Sequence, residues 1–268
     1  MKSKFNIEAI QNRRESIFDP STFDERKYLL FPNDNAVTAS LFSNQLYEPY
    51  LYQFLKENNL DIKGTNVVDI GGNNGQIAVE FAHLVGDDGK VFSFEPQRVI
   101  FQQLCGNVFV NGLDNVYAFN IALGNEEGLT TIQKPNYFDE GFVNFGDVHV
   151  GVQSDYETVI MRQLDSYSLD NISIIKIDVQ GFERKVLLGA KETIEKNKPI
   201  IYIEIEQDQL ELYGDSEESV LQLLIDYGYS FARFNDGMSY QTNSGLCLDF
   251  VAIPNELVSA REWKTIFG

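Results

Sequence analysis

Four things are scarce in this sequence: cysteine, histidine, positive charge and long apolar runs. Only two cysteines occur in 268 residues. Cys105 and Cys247 can build neither a disulfide framework nor a multi-cysteine zinc site, and their apolar neighbours suggest buried small hydrophobes. Lys and Arg total 21 against 40 Asp and Glu, a formal charge of −19. That balance argues against phosphate-backbone binding, which runs on clustered cations, and against docking on anionic lipid. No apolar run approaches the ~18 residues of a membrane span. The basic start Met1-Lys2-Ser3-Lys4 lacks the apolar stretch of a secretory signal. The expectation is a cytoplasmic protein with neither nucleic acid nor membrane as partner.

What is present is an alternating pattern. Residues 1–45 are polar, broken by Phe31-Pro32-Asn33-Asp34-Asn35, and read as an N-terminal extension. Leu46, Tyr50, Leu51, Phe54 and Leu55 recur at helical spacing over 46–59. Strands are then expected at 65–70, 90–95, 116–123, 173–178, 199–206, 229–234 and 246–253. Helices are expected at 76–85, 99–111, 184–195 and 219–226. Such alternation implies βαβ units with right-handed crossovers: a doubly wound α/β sheet, mostly parallel, with helices on both faces. The last two strands have no helix between them and read as an antiparallel hairpin. The main domain therefore runs 46–254 and a tail 255–268. An insert at 124–172 carries two strand-like runs and an aromatic loop with Tyr137, Phe138, Phe142, Phe145 and His149. A connection of that length is often functional, as a substrate wall or lid; the plain alternative is a hairpin that only packs on the core.

The segment Val67-Val68-Asp69-Ile70-Gly71-Gly72-Asn73-Asn74-Gly75 closes the first strand and opens a helix. In open α/β sheets ligands bind beyond the carboxyl ends of the strands, and glycines there let backbone approach a ligand closely. Glu95 ends the next strand, where a carboxylate can accept both hydroxyl hydrogens of a ribose. A dinucleotide loop needs G-x-G-x-x-G, but Asn73 stands where that pattern requires glycine. Asp69 would be unfavourable beside a pyrophosphate and favourable near a sulfonium. The arrangement therefore suits S-adenosylmethionine better than NAD. Asp69 could equally cap the turn.

At this point the chain resembles the FkbM-type family of S-adenosylmethionine-dependent methyltransferases, over roughly Leu46 to Ile253. The resemblance rests on Leu46-Tyr47-Glu48, the loop 69–75, Phe94-Glu95-Pro96, a helix with Leu104, Asn107 and Asn111, and Ala122-Leu123-Gly124. Its most specific element is Ile175-Lys176-Ile177-Asp178-Val179-Gln180-Gly181-Phe182-Glu183, in which Gln180 replaces a common Glu. The resemblance implies a class I methyltransferase (Rossmann-like) fold of seven strands and methyl transfer to a hydroxyl of a sugar, glycan or small molecule.

The expected cofactor set is Asp69, Gly71, Asn73 and Gly75 at the methionine and ribose, Glu95 and Pro96 at the ribose, and Asn120 and Ala122 at the adenine. The alternative for Asn120 and Ala122 is ordinary strand packing. Tyr47-Glu48 could reach the cofactor from the N-terminal helix. Asp178 is expected to orient or deprotonate the acceptor hydroxyl, unless it only pairs with Lys176. Glu204 has a weaker catalytic claim. Glu183 should serve the first turn of the next helix, His149 could act as a base although a lone loop histidine is more often a surface residue, and His83 has no assigned role. No metal is expected, although Asp178, Glu204, Glu206 and Asp208 offer oxygen ligands at neighbouring strand ends. Competing readings are a non-catalytic binding protein, kept open by Gln180, and an NAD-dependent oxidoreductase. The oligomeric state is not legible.

Overall fold

The computed structural model describes residues 8–15, 21, 23–34, 37–137, 143–153, 155–233, 249–260 and 263. The chain opens with a hairpin, β1 (Glu8–Glu15) and β2 (Phe23–Leu30), then α1 (Val37–Phe42) and α2 (Pro49–Glu57). The central run is β3 (Asn66–Ile70), α3 (Gln76–Val85), β4 (Lys90–Phe94), α4 (Arg98–Val110) and β5 (Val116–Phe119). The insert follows with β6 (Ala122–Leu123), β7 (Gly128–Gln133) and β8 (Tyr156–Arg162). Then come β9 (Ile172–Ile177), α5 (Glu183–Leu188), α6 (Lys191–Asn197), β10 (Ile200–Glu204), α7 (Gln207–Glu211) and α8 (Glu217–Asp226). The chain closes with β11 (Tyr229–Arg233), β12 (Asp249–Pro254) and α9 (Asn255–Val258).

Seven strands form the main sheet in the order β11-β12-β10-β9-β3-β4-β5. β12 pairs antiparallel with both its neighbours, and every other pairing in the sheet is parallel. The expected doubly wound fold, with its antiparallel C-terminal strand, is thus present. Strand alternation explains the two-sided core. Val68, Ile70, Ile175, Ile177, Ile201 and Ile203 pack on one face, against α5, α6 and α8. Val67, Ile174, Tyr202 and Val251 pack on the other, against α2 and α3. Side chains two apart in a strand share a face, so each strand feeds both layers.

The element boundaries differ from expectation in places with a local cause. α2 begins at Pro49 because Glu48 is left-handed, φ 51°. The run 116–123 splits: β5 stays in the main sheet, while Ala122–Leu123 joins β8 and β7 in a separate three-stranded sheet. The helix expected at 184–195 breaks at Gly189, where a Cβ would fall 1.9 Å from the Gly124 carbonyl oxygen. Asp165 then caps the second piece, accepting from the backbone N–H groups of Glu192 (3.0 Å) and Thr193 (2.8 Å). Cys105 is half-buried rather than fully buried, because α4 turns that flank away from the sheet. Cys247, Phe138, Phe142, Phe234 and the start of the last expected strand lie outside the described residues.

The N-terminal hairpin is fixed by amide side chains of α4 and of its C-cap Asn111. Asn107 Oδ1 accepts from the Leu29 N–H (2.6 Å), and Asn111 Oδ1 accepts from that of Lys27 (2.9 Å). Gln103 and Asn111 donate to the Leu29 and Lys27 carbonyls. Residues 103, 107 and 111 are one helical turn apart, so they form a row that meets a strand edge. Among the described residues no helix is long and apolar enough to cross a membrane.

Candidate active site

The strand tips of β3, β4 and β9 meet where strand order reverses, the position at which open α/β sheets bind ligands. A cavity opens there, lined by residues from all three tips and from the insert. Gly71 and Asn73 come from the loop after β3, and Glu95, Pro96 and Gln97 from the end of β4. Ala122 and Leu123 come from β6, and Asp178 and Gln180 follow β9. Tyr47 reaches it from the segment before α2, and the insert adds Ile132, Val148 and Val150.

Sterics fix the first loop. Gly71 lies at φ 81°, and a Cβ there would stand 1.9 Å from the Asp178 carbonyl oxygen. Only glycine allows the β3 loop to pass so close to the end of β9. Glu95 holds the loop from the other side: its carboxylate accepts from the backbone N–H of Asn73 (2.9 Å) and of Gln97 (2.8 Å). The carboxyl is 3% exposed. Burial raises it to about 7 despite the two N–H donors that favour the charged form. Each oxygen retains a lone pair for a further donor.

Asp178, which also lines the cavity, is gripped by three side chains. Lys176 Nζ lies 3.1 Å from Oδ2, and Gln180 Nε2 donates to Oδ1 at 3.0 Å. Burial alone would raise the Asp178 carboxyl, but Lys176 and hydrogen bonds from Glu204, Gln180 and Lys176 hold it below the usual carboxylate range. Gln180 Nε2 also donates to Glu204 Oε2 at 3.0 Å. Glu204 is pushed well up by burial, with Asp178 and Asp249 adding to the rise. Lys176 remains charged, because the raising pull of Asp178, Glu48 and Asp69 outweighs its burial. Its Nζ sits 3.8 Å from Glu48 Oε1. Burial raises Glu48 to about 8, against the lowering effect of Lys176.

The two sequence-expected catalytic residues, Asp178 and Glu204, are therefore brought together. Of the expected cofactor residues, Gly71, Asn73, Glu95, Pro96 and Ala122 line the cavity. Asp69, Gly75 and Asn120 do not. Asp69 is fully buried in the sheet, accepting from the Ser93 hydroxyl at 2.8 Å. It lies in register with Ser93 on one side and Lys176 on the other. Gly75 starts α3 against Leu104. Asn120 donates to the carbonyls of Glu95 and Pro96, both at 2.9 Å, and so shapes the turn that aims Glu95. Glu183 accepts from the N–H groups of Val179 and Gly181, fastening the loop that carries Gln180. His149 pairs with Gln133 and Gln209, away from the cavity lining. Among the described residues no group of three or more His, Cys, Asp and Glu is arranged to hold a metal ion.

Sequence reasoning missed Gln97. Its side chain donates to the Phe145 carbonyl (2.8 Å) and accepts from the Tyr137 hydroxyl (3.2 Å). This residue joins the insert to the Glu95 turn, and its only sequence signal was adjacency to Glu95-Pro96.

The residues fit S-adenosylmethionine on their own chemistry. Glu95 suits a diol donor, Ile121, Ala122 and Leu123 supply apolar surface for a base, and Asp178 offers negative charge toward a cationic sulfur. The chain resembles known proteins in the same sense. It is 28% identical over 162 residues to 2-O-methyltransferase NoeI of Sinorhizobium fredii, covering 54% of this chain and 64% of that protein. The chain thus spans less than two thirds of that relative. Its fold matches the crystal structure of methyltransferase FkbM from Methylobacillus flagellatus, with a TM-score of 0.50 and 18% identity. That match covers 80% of this chain and 52% of the other. The Methyltransferase FkbM domain profile matches residues 69–231, from the glycine loop through Asp178 and Glu204 to β11, and the chain belongs to the FkbM methyltransferase family.

Proposed function

We propose that this methyltransferase uses S-adenosylmethionine and transfers the methyl group to a hydroxyl oxygen of a sugar, glycan or small molecule. The observation that carries this reading is one cavity lined by both Glu95 and Asp178. S-adenosylmethionine supplies an electrophilic methyl group on a cationic sulfur. Glu95 takes the ribose hydroxyl hydrogens with the lone pairs its two backbone donors leave free. Asp178, charged and held on both oxygens, accepts the hydrogen of the acceptor hydroxyl and fixes its direction. Fixing the reacting groups removes much of the entropic part of the barrier. A carboxylate held below its usual range is a weak base, so Asp178 would orient the hydroxyl and stabilise the positive charge that develops as the O–C bond forms and the S–C bond breaks; the hydroxyl proton, made strongly acidic by methylation, would then pass to the carboxylate and S-adenosylhomocysteine would leave. Glu204, pushed well up by burial, accepts from Gln180 Nε2 through Oε2 and is hydrogen-bonded to Asp178, which braces Asp178 from the side of β10.

Among the described residues that line the cavity, none is Lys, Arg or His. A phosphate-bearing acceptor would meet no counter-charge there, which supports a neutral hydroxyl compound over a nucleic acid, as the charge of −19 also does. The relative NoeI is a 2-O-methyltransferase, which supports oxygen as the acceptor atom. The NAD reading has less support, since Asn73 stands where a dinucleotide loop needs glycine. The domain extends over 46–254, with residues 1–45 as an extension and 255–268 as a tail. A cytoplasmic location fits that assignment.

The test is calorimetry with S-adenosylmethionine, S-adenosylhomocysteine and NADH, followed by methyl transfer to a panel of neutral sugars and glycans. Binding of the first two and turnover on a hydroxyl acceptor is expected. Binding of NADH alone would overturn the cofactor. Tight binding without turnover on any acceptor would favour a non-catalytic binding protein. Asp178→Asn is expected to cut kcat by about 10²-fold or more; near-normal kcat would remove Asp178 from the chemistry.

A further inference from the structure

We propose that Gln180 is a positioning residue: its amide clamps Asp178 and Glu204 together and holds Asp178 in its aim at the acceptor hydroxyl. This rests on the methyl-transfer reading above. Nε2 carries two hydrogens, and two carboxyl oxygens lie at 3.0 Å from it, Asp178 Oδ1 and Glu204 Oε2. One planar group thus spans the tips of β9 and β10. Lys176 fills the other oxygen of Asp178, so the carboxylate is fixed at both ends.

The backbone is arranged for this. Gln180 lies at φ 52°, a left-handed conformation that costs energy for any residue with a Cβ. Gly181 follows at φ 93°, where a Cβ would stand 2.3 Å from the Gln209 carbonyl oxygen. Glu183 ties down the N–H groups on both sides of Gln180. A turn constrained from both flanks sends the Gln180 side chain back over the strand tips instead of into solvent.

The clamp works without a titrating proton, although it stands among titrating groups. Asp178 is faced by Lys176 from β9 itself, by Tyr47 and Glu48 from the segment before α2, and by Asp69 from β3. Glu204 faces it from β10 and Glu183 from the start of α5, while Asp249 of β12 acts on Glu204 and Glu48. A carboxyl at position 180 would have to be protonated to donate at all. Once ionised, it would place a further negative charge against Asp178. An amide removes that dependence on pH.

Two variants and two readouts test this. Gln180→Glu keeps shape and adds a titration; Gln180→Met keeps length and removes both donors. Carbon-13 carboxyl NMR of the full chain, titrated without acceptor, reads Asp178 directly. In both variants its midpoint is expected to rise by about one pH unit or more, because hydrogen bonds to the charged form lower a carboxyl. With the acceptor found in the sugar and glycan panel, Gln180→Met is expected to lose about tenfold or more in kcat at every pH. Gln180→Glu should approach wild-type kcat in acid and fall away as pH rises. KM for S-adenosylmethionine should stay unchanged in both. An Asp178 midpoint unmoved in Gln180→Met overturns the clamp, whether or not methyl transfer is found. A Gln180→Glu loss that is the same at all pH values overturns it as well. Failure of methyl transfer in the wild type counts against the function, while the NMR titration still decides on Gln180.

Discussion

The Glu95 carboxylate sits 2.9 Å from the backbone nitrogen of Asn73 and accepts its N–H. The acid at the end of β4 therefore sets the shape of the loop after β3 before any ligand arrives. Replacing Glu95 by Gln turns one acceptor oxygen into a donor that faces a backbone N–H. S-adenosylhomocysteine affinity is expected to fall by about tenfold or more, since a hydrogen bond to a charged group is worth ~1.5–3 kcal/mol; calorimetry checks it.

Burial raises Glu95 and Glu183 to about 7 and Glu48 to about 8, from 4.5. A group raised on folding favours the folded state below its unfolded value, and that contribution fades as pH climbs through the folded one. Asp178 is lowered and acts oppositely, losing its contribution only in acid. The cofactor-free protein should therefore be most stable in mildly acidic buffer, with Tm declining from pH 6 to pH 9. Ribose hydroxyls donate to ionised Glu95, so nucleoside affinity should rise over the same interval. A Tm that climbs toward pH 9 would contradict the first expectation; an affinity flat in pH would contradict the second.

Lys176 is the cation for Asp178 and Glu48 and is 2% exposed. Lys176→Met leaves two buried acids without it, an omission that costs about 3–5 kcal/mol for buried pairs. Denaturant melts should show that loss. The double variant with Asp178→Asn should recover part of it, because the two sites are in contact.

Asn107 is fully buried and serves two backbones, accepting from Leu29 N–H and donating to the Asn74 carbonyl at 2.8 Å. Asn107→Ala orphans both groups, at about 1–3 kcal/mol each. Hydrogen exchange should speed up in both the hairpin and the glycine loop. Exchange confined to one of them would show that Asn107 does not couple the two.

Gln97→Ala removes the donor that holds Phe145 and the acceptor that holds the Tyr137 hydroxyl. Limited proteolysis should begin between residues 137 and 150, while the circular dichroism of the main sheet stays unchanged.

The sheet was readable because its strands alternate strictly between two apolar layers, with glycine-marked turns between them. The same alternation carries a signal that the sequence reading did not use. Asp69 shares parity with Val67, not with Ile70, and so it points into the α2/α3 layer, away from the cavity. Lys176 shares parity with Ile174, which places it next to Asp69 in register. A polar row of Ser93, Asp69 and Lys176 was therefore latent in the pattern. By contrast, the break at Gly189 depends on the distant Gly124 carbonyl, and the role of Gln97 depends on where the insert folds back. Neither contact leaves a local trace. Gln180 was visible only as a departure from the family motif; its two carboxyl partners come from different strands and needed coordinates.

The row of amides along α4 and its C-cap has a bearing on the open edge of the N-terminal hairpin. A two-stranded ribbon offers an open flank on which a foreign strand can dock. Here Gln103, Asn107 and Asn111 occupy the outward-facing groups of Lys27 and Leu29, imitating a third strand with side chains. Shortening those amides would uncover the flank and invite intermolecular β-pairing.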